Sequence, residues 1–167
     1  MAPTTLRVAV ICTGNICRSP MAEVALKHLV AEDSDLSGHV LVTSAGTANW
    51  HLGDPMDPRA RAALDRAGLT FDGSPAAYAD RAYLDEQDLI IVMTREHLFD
   101  VQQRLRAEGT DVWLWRSLLE PARHLDVADP YYGGPVEFDE CLAMIRAAGP
   151  RLTSEFRQRL GARSSEA

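Results

Sequence analysis

The stretch DLIIVM, residues 88 to 93, has no polar side chain to offer a wet face after its first residue. A strand that is apolar on both sides must be covered on both sides, and parallel sheets sandwiched between helices are where such strands occur. LRVAVI (6 to 11) is a buried-strand run of the same kind, and HVLVTSAG (39 to 46) and DVWLW (111 to 115) read as two further strands. Between them apolar residues return at helical spacing. SPMAEVALKHLVAE (19 to 32) puts Met21, Ala25 and Leu29 on one face, with Pro20 suited to a first turn. DPRARAALDRAG (57 to 68) turns Ala60, Ala63, Leu64 and Ala67 inward and closes on Gly68. A helix from Arg95 to about Ala107 carries Leu98, Val101 and Leu105 in phase. The last helix begins near Val136 with Phe138, Cys141, Leu142 and Ile145 in phase, and Pro150 is expected to kink it before Leu152 and Phe156 resume.

Strands alternating with helices at this spacing define an α/β fold: a small, doubly wound three-layer sandwich with a four-stranded parallel sheet. The 167 residues, 46% of them hydrophobic, suit one domain, with a core over about 6–160 and a frayed tail, GARSSEA, at 161–167. A formal net charge of −7 argues against a general nucleic-acid or membrane surface, so any anion must be held by a local pocket. With no signal segment and no apolar run of about 18 residues, the chain reads as cytoplasmic, with release by a signal-independent route left open. Three cysteines are an odd count in a chain long enough to fold without staples, so the thiols are expected to be reduced.

In a doubly wound sheet, ligands sit at the carboxyl ends of the strands. VICTGNICRSP (10 to 20) lies at that end of the first strand, between strand 1 and helix 1. From Cys12 to Arg18 a short loop closing onto a helix start can aim successive backbone N–H groups inward, where the helix dipole adds positive character. Gly14 permits a positive φ, and Asn15 tolerates one. The backbone of Thr13, Gly14, Asn15, Ile16 and Cys17 can therefore curl around a tetrahedral oxyanion, while Arg18 grips two of its oxygens with its planar fork. The same field favours the thiolate of Cys12, the nucleophilic form, and Ser19 can donate a hydroxyl hydrogen bond to it. Two cysteines five apart with no second pair do not make a zinc site, and the Gly-Lys-Ser/Thr ending of a nucleotide loop is absent.

CTGNICRSP resembles the signature of the low-molecular-weight protein tyrosine phosphatases, and the likeness extends through SAGTANWHLGDPMDPRA (44 to 60) to DPYYGG (129 to 134). It covers about residues 6 to 160. The resemblance implies Cys12 as nucleophile, Arg18 as phosphate clamp and Asp129 as the acid that protonates the leaving phenolate and later takes a proton from the water that cleaves a phosphocysteine. It implies no metal or cofactor, a phosphotyrosine protein as substrate, inorganic phosphate or a similar oxyanion in the site, and a monomer or weak dimer. With Asp129 protonated and Cys12 ionised together, the expected pH profile is a mildly acidic bell. Tyr131, Tyr132 and Trp50 are either walls of a slot deep enough for phosphotyrosine or loop aromatics covering the core; His51 is either part of that wall or a surface histidine.

In the family the thiol at the position of Cys17 can trap an oxidised nucleophile as a reversible disulfide, and the paired tyrosines can be phosphorylated. Many members also carry a histidine after the second helix to support the loop asparagine. FDGSPAAYADRAYL (71 to 84) has none, so Asn15 needs another brace, with Ser44 the candidate. Two rivals stand beside the phosphatase: a thioredoxin-coupled arsenate reductase, which needs redox cysteines between Cys17 and Cys141 that this chain lacks, and an idle phosphate-binding domain, which would need neither Cys12 nor Asp129.

Overall fold

The computed structural model describes residues 5–70, 73–121, 123 and 125–166. Strands β1 (Leu6–Cys12), β2 (Val40–Gly46), β3 (Leu89–Val92) and β4 (Asp111–Leu114) form one parallel sheet in the order β2-β1-β3-β4. The chain moves outward from β1 to β2, then returns past β1 to build β3 and β4. The winding direction thus reverses beside β1, and the crevice of a doubly wound sheet opens at such a point.

Helices α1 (Arg18–Glu32), α2 (Pro58–Arg66), α5 (Pro135–Ala147) and α6 (Gly149–Glu166) cover one face; α3 (Arg81–Asp85) and α4 (Arg95–Arg104) cover the other. The alternation along β1 shows why both covers are required. Leu6, Val8, Val10 and Cys12 join the core with Met21, Phe138 and Phe156, whereas Ala9 and Ile11 join Leu84, Val101 and Leu114. All these side chains are buried, and burying a large aliphatic one is worth roughly 1.5–3 kcal/mol.

Two sequence expectations change, and one helix is added. Pro150 does not kink a continuous helix: α5 ends at Ala147, and Pro150 is the second residue of α6, where its missing N–H has no intrahelical acceptor to lose. The tail is not frayed over 161–166. α6 runs on to Glu166, and Arg163 donates to Thr5 O (3.2 Å) and pairs with Asp88 (2.6 Å); the remaining tail residue, 167, lies outside the described residues. The stretch 71–84, of which 71 and 72 also lie outside, contains the start of α3, capped by Asp80 accepting from Tyr83 N–H (2.8 Å). A five-residue helix is too short to show a period. Among the described residues no helix is long and apolar enough to cross a membrane.

Candidate active site

Between β1 and α1 the loop is shaped by its carbonyls. Cys12 O accepts from Thr47 N–H (2.9 Å), Thr13 O from Ala48 N–H (3.0 Å), Ile16 O from Asp57 N–H (2.9 Å) and Cys17 O from Met21 N–H (3.1 Å). In a trans peptide the next N–H points opposite to the carbonyl, so committing these oxygens to neighbouring elements turns the following N–H groups toward the cleft. Asn15, not Gly14, takes the left-handed conformation, with φ 56°. A Cβ at Gly14 would crowd only the side chain of His51, 2.9 Å from its Cδ2, a ring that can move aside. Gly46 is tighter still: its Cβ would fall 2.3 Å from Thr13 O.

The strained Asn15 is fixed by three hydrogen bonds. Its Oδ1 accepts from Ala77 N–H (2.9 Å), and its Nδ2 donates to Ser19 Oγ (2.8 Å) and Ser44 Oγ (2.9 Å). Ser19 Oγ lies 2.9 Å from Cys12 Sγ; because it already accepts from Asn15, its proton is free to point at the sulfur. Ser44 donates to Glu23 Oε2 (2.5 Å), and Lys27 pairs with the other oxygen of this buried carboxylate (2.8 Å). Ser44 therefore braces Asn15, as expected, and the Ala77 amide supplies a second brace from the stretch that lacks the histidine.

Arg18 opens α1 with its side chain 6% exposed. One nitrogen donates to Val127 O (3.1 Å); the other reaches Thr13 Oγ1 (3.5 Å) and Asp129 Oδ2 (3.4 Å). Val127 N–H in turn donates to Met93 O at the end of β3 (2.8 Å), so residues 12 and 129 meet through the carboxyl ends of two adjacent strands. Thr13 Oγ1 is also bound by His97 Nε2 (2.7 Å) from α4. Burial first, and then the Arg18 cation, push the His97 ring down to about 4, so it stays neutral around pH 7.

A cleft of about 250 Å³ opens over Cys12. Thr13, Gly14, Ile16, Cys17 and Arg18 line it with Cys12, and Asp129, Tyr131, Tyr132, Trp50 and His51 complete the lining. Asn15 and Ser19 stand behind, buried and acting on the loop. The aromatics are thus rim residues, Trp50 75% and Tyr132 94% exposed, and they do not cover core. His51 sits in the wall, its Nδ1 3.1 Å from Asp54 Oδ2. Cys17 is buried, which together with the nearby Asp57 carboxylate pushes its thiol well up and keeps it protonated. Cys141 is core on α5. Four contributors escaped the sequence reading: Glu23, Arg59, His97 and Ala77. Each acts through a contact at least 21 residues away in the chain.

A thiol on an anion-facing loop, an arginine fork and a carboxyl group from a remote loop are the parts of a phosphate-ester hydrolase working through cysteine. Comparison with known proteins agrees. The family model for low molecular weight phosphotyrosine protein phosphatases matches residues 7–162. A low molecular weight protein-tyrosine-phosphatase of Streptomyces coelicolor is 39% identical over 166 residues, covering 96% of this chain and 99% of its own. The crystal structure of YfkJ from Bacillus subtilis is similar with a TM-score of 0.83 at 30% identity, covering 95% and 99% of the two chains. Wzb of Vibrio vulnificus, solved in complex with benzylphosphonate, is similar with a TM-score of 0.78 at 25% identity, covering 90% and 98%. The chain belongs to the low-molecular-weight phosphotyrosine protein phosphatase family.

Proposed function

We propose that the protein hydrolyses phosphotyrosine monoesters on proteins, with Cys12 attacking phosphorus, Arg18 and the loop N–H groups holding the equatorial oxygens, and Asp129 serving the leaving oxygen. The observation that carries this reading is the meeting of residues 12, 18 and 129 around one cleft, with Ser19 Oγ 2.9 Å from the sulfur and Asp129 3.4 Å from the arginine. Ser19 and the N–H edge stabilise the thiolate. A phosphate entering the loop takes over the Arg18 fork, leaving Asp129 to give its proton to the leaving oxygen. The phenolate departs with that proton, the S–P bond having formed as the P–O bond breaks. In the second step Asp129, now a carboxylate, takes a proton from water as it attacks the phosphocysteine, releasing inorganic phosphate and the Cys12 thiolate.

The positive charge needed comes from the loop and Arg18, so the reaction runs without metal. Trp50, Tyr131 and Tyr132 line the same cleft as the loop, an aromatic surface that suits a flat phenyl ester. The cytoplasm is the matching compartment for an acidic chain with three free, buried cysteines, and a monomer or weak dimer suffices because one chain supplies every group. The test is turnover of p-nitrophenyl phosphate and of matched phosphotyrosine and phosphoserine peptides in EDTA. Turnover of the aryl and tyrosyl esters, abolished in Cys12→Ser, is expected; activity that survives Cys12→Ser overturns the reading.

A further inference from the structure

The Asp57–Arg59 pair at the start of α2 takes no part in the roles assigned above, yet it touches both halves of the site. Asp57 N–H donates to Ile16 O in the nucleophile loop (2.9 Å), and the Asp57 carboxylate caps α2 through Arg59 N–H (2.8 Å). The same carboxylate grips the Arg59 guanidinium with both oxygens, Nε to Oδ1 at 3.0 Å and Nη2 to Oδ2 at 2.8 Å. Those bonds first of all hold Asp57 below the usual carboxylate range. The remaining guanidinium nitrogen donates to Tyr131 O (2.7 Å) and Gly133 O (3.3 Å), two and four residues beyond Asp129. The fork also lies over the rings of Tyr131 (5.1 Å to the centroid) and Phe138 (4.8 Å). A planar guanidinium can grip a carboxylate at two points while donating to two carbonyls, four bonds that the three donors of an ammonium cannot make.

We infer that Arg59, fixed by Asp57, is a positioning residue that sets the Asp129 loop over Cys12. Asp129 itself has few holds: Tyr131 N–H at 3.2 Å, Arg18 at 3.4 Å, and a side chain 45% exposed. The carbonyls of Tyr131 inside its turn and of Gly133 just after it are pinned by Arg59, and Arg59 is pinned by the residue that also binds the nucleophile loop. The Asp57–Arg59 ion pair thus ties the acid's turn to the nucleophile loop, alongside the direct contact of Arg18 with Asp129.

The inference rests on the phosphatase reading, and its test separates the two. Arg59→Ala and Arg59→Lys would be compared with the unaltered protein on a series of aryl phosphates, following kcat/KM from 2,4-dinitrophenyl phosphate, whose leaving group departs without a proton, to phenyl phosphate, which needs one. If Arg59 positions the acid, kcat/KM in Arg59→Ala falls by about 10-fold or more for phenyl phosphate and less than about 3-fold for the dinitrophenyl ester, a fraction of the roughly 10²–10⁴ that a general acid supplies. Arg59→Lys, which keeps the positive charge but not the planar fork, falls between, and inhibition by inorganic phosphate stays within about 2-fold because the loop is intact. An equal fall across the series, or none, overturns the inference. Should Arg59→Ala fail to give a cooperative thermal melt, Arg59→Lys carries the same measurement alone. Lack of turnover by the unaltered protein would instead defeat the phosphatase reading.

Discussion

The loop at 12–19 and the loop at 127–134 contribute to one reaction, but they are held in opposite ways. The first is buried and overdetermined: Asn15 alone makes three side-chain hydrogen bonds, and four loop carbonyls are tied to neighbouring elements. The second is a turn of Pro130–Tyr132 with Asp129 at its head, half exposed and secured by Arg18 and Arg59 from outside. Positioning of an anion requires many fixed donors that cannot relax. Delivery of a proton requires one group within reach, and an exposed loop can supply that while still admitting the substrate.

The contrast can be broken most decisively at Cys12. Cys12→Ser is expected to lose turnover altogether while still binding inorganic phosphate, measured by calorimetry, because the donor loop survives. Asp129→Ala should retain the phosphorylated cysteine step for activated esters but lose about 10²–10⁴ in kcat/KM on phenyl phosphate; undiminished turnover would remove Asp129 from the mechanism. Gly46→Ala tests how rigid the first loop is. The added Cβ meets a backbone oxygen at 2.3 Å, so a fall in melting temperature together with weaker phosphate binding is expected, whereas Gly14→Ala, which meets only the movable His51 ring at 2.9 Å, should do little to either.

The smallest effect concerns pH and also belongs to the buried loop. His97 in the folded protein is lowered from 6.5 to about 4 by burial first and the Arg18 cation second. Below about pH 6.5 the unfolded chain binds a proton that the native ring refuses, so stability is fully present above that pH and is lost as pH falls toward 4. At roughly 1.4 kcal/mol per pKa unit, this amounts to about 2 kcal/mol between pH 7 and 5. Urea unfolding of His97→Asn at both pH values should show a flatter dependence than the unaltered protein.

How much of this was legible follows the same divide. The four strands, the covered sheet and the loop from Cys12 to Ser19 are local patterns, so periodicity and residue type reveal them. Asp129 and the aromatics were readable only through a resemblance, because DP and YY are ordinary turn and surface residues by themselves. Gly14 was read as a flexible residue, but Asn15 takes the left-handed conformation; which residue of a Gly-Asn pair turns left-handed is decided by the three partners of Asn15, two of them far away in the chain. His97 was hidden because it occupies the helical phase beside Leu98 and Val101, where only the neighbouring loop gives an imidazole anything to bind. Pro150 and the tail were misjudged for a shared reason. Both belong to a helix whose last turns are held by Thr5 and Asp88, residues far away in the sequence.

The place of β1 in the sheet carries one more consequence. It is flanked on both sides, by β2 and β3, so neither of the sheet's open edges belongs to the strand that launches the catalytic loop. Opening that begins at an edge strand frees β2 or β4 first, and the amides of Val8 to Ile11 should exchange with solvent hydrogen only when the whole domain opens. The nucleophile is thus timed to the slowest clock in the molecule, and catalysis and fold should disappear in the same transition.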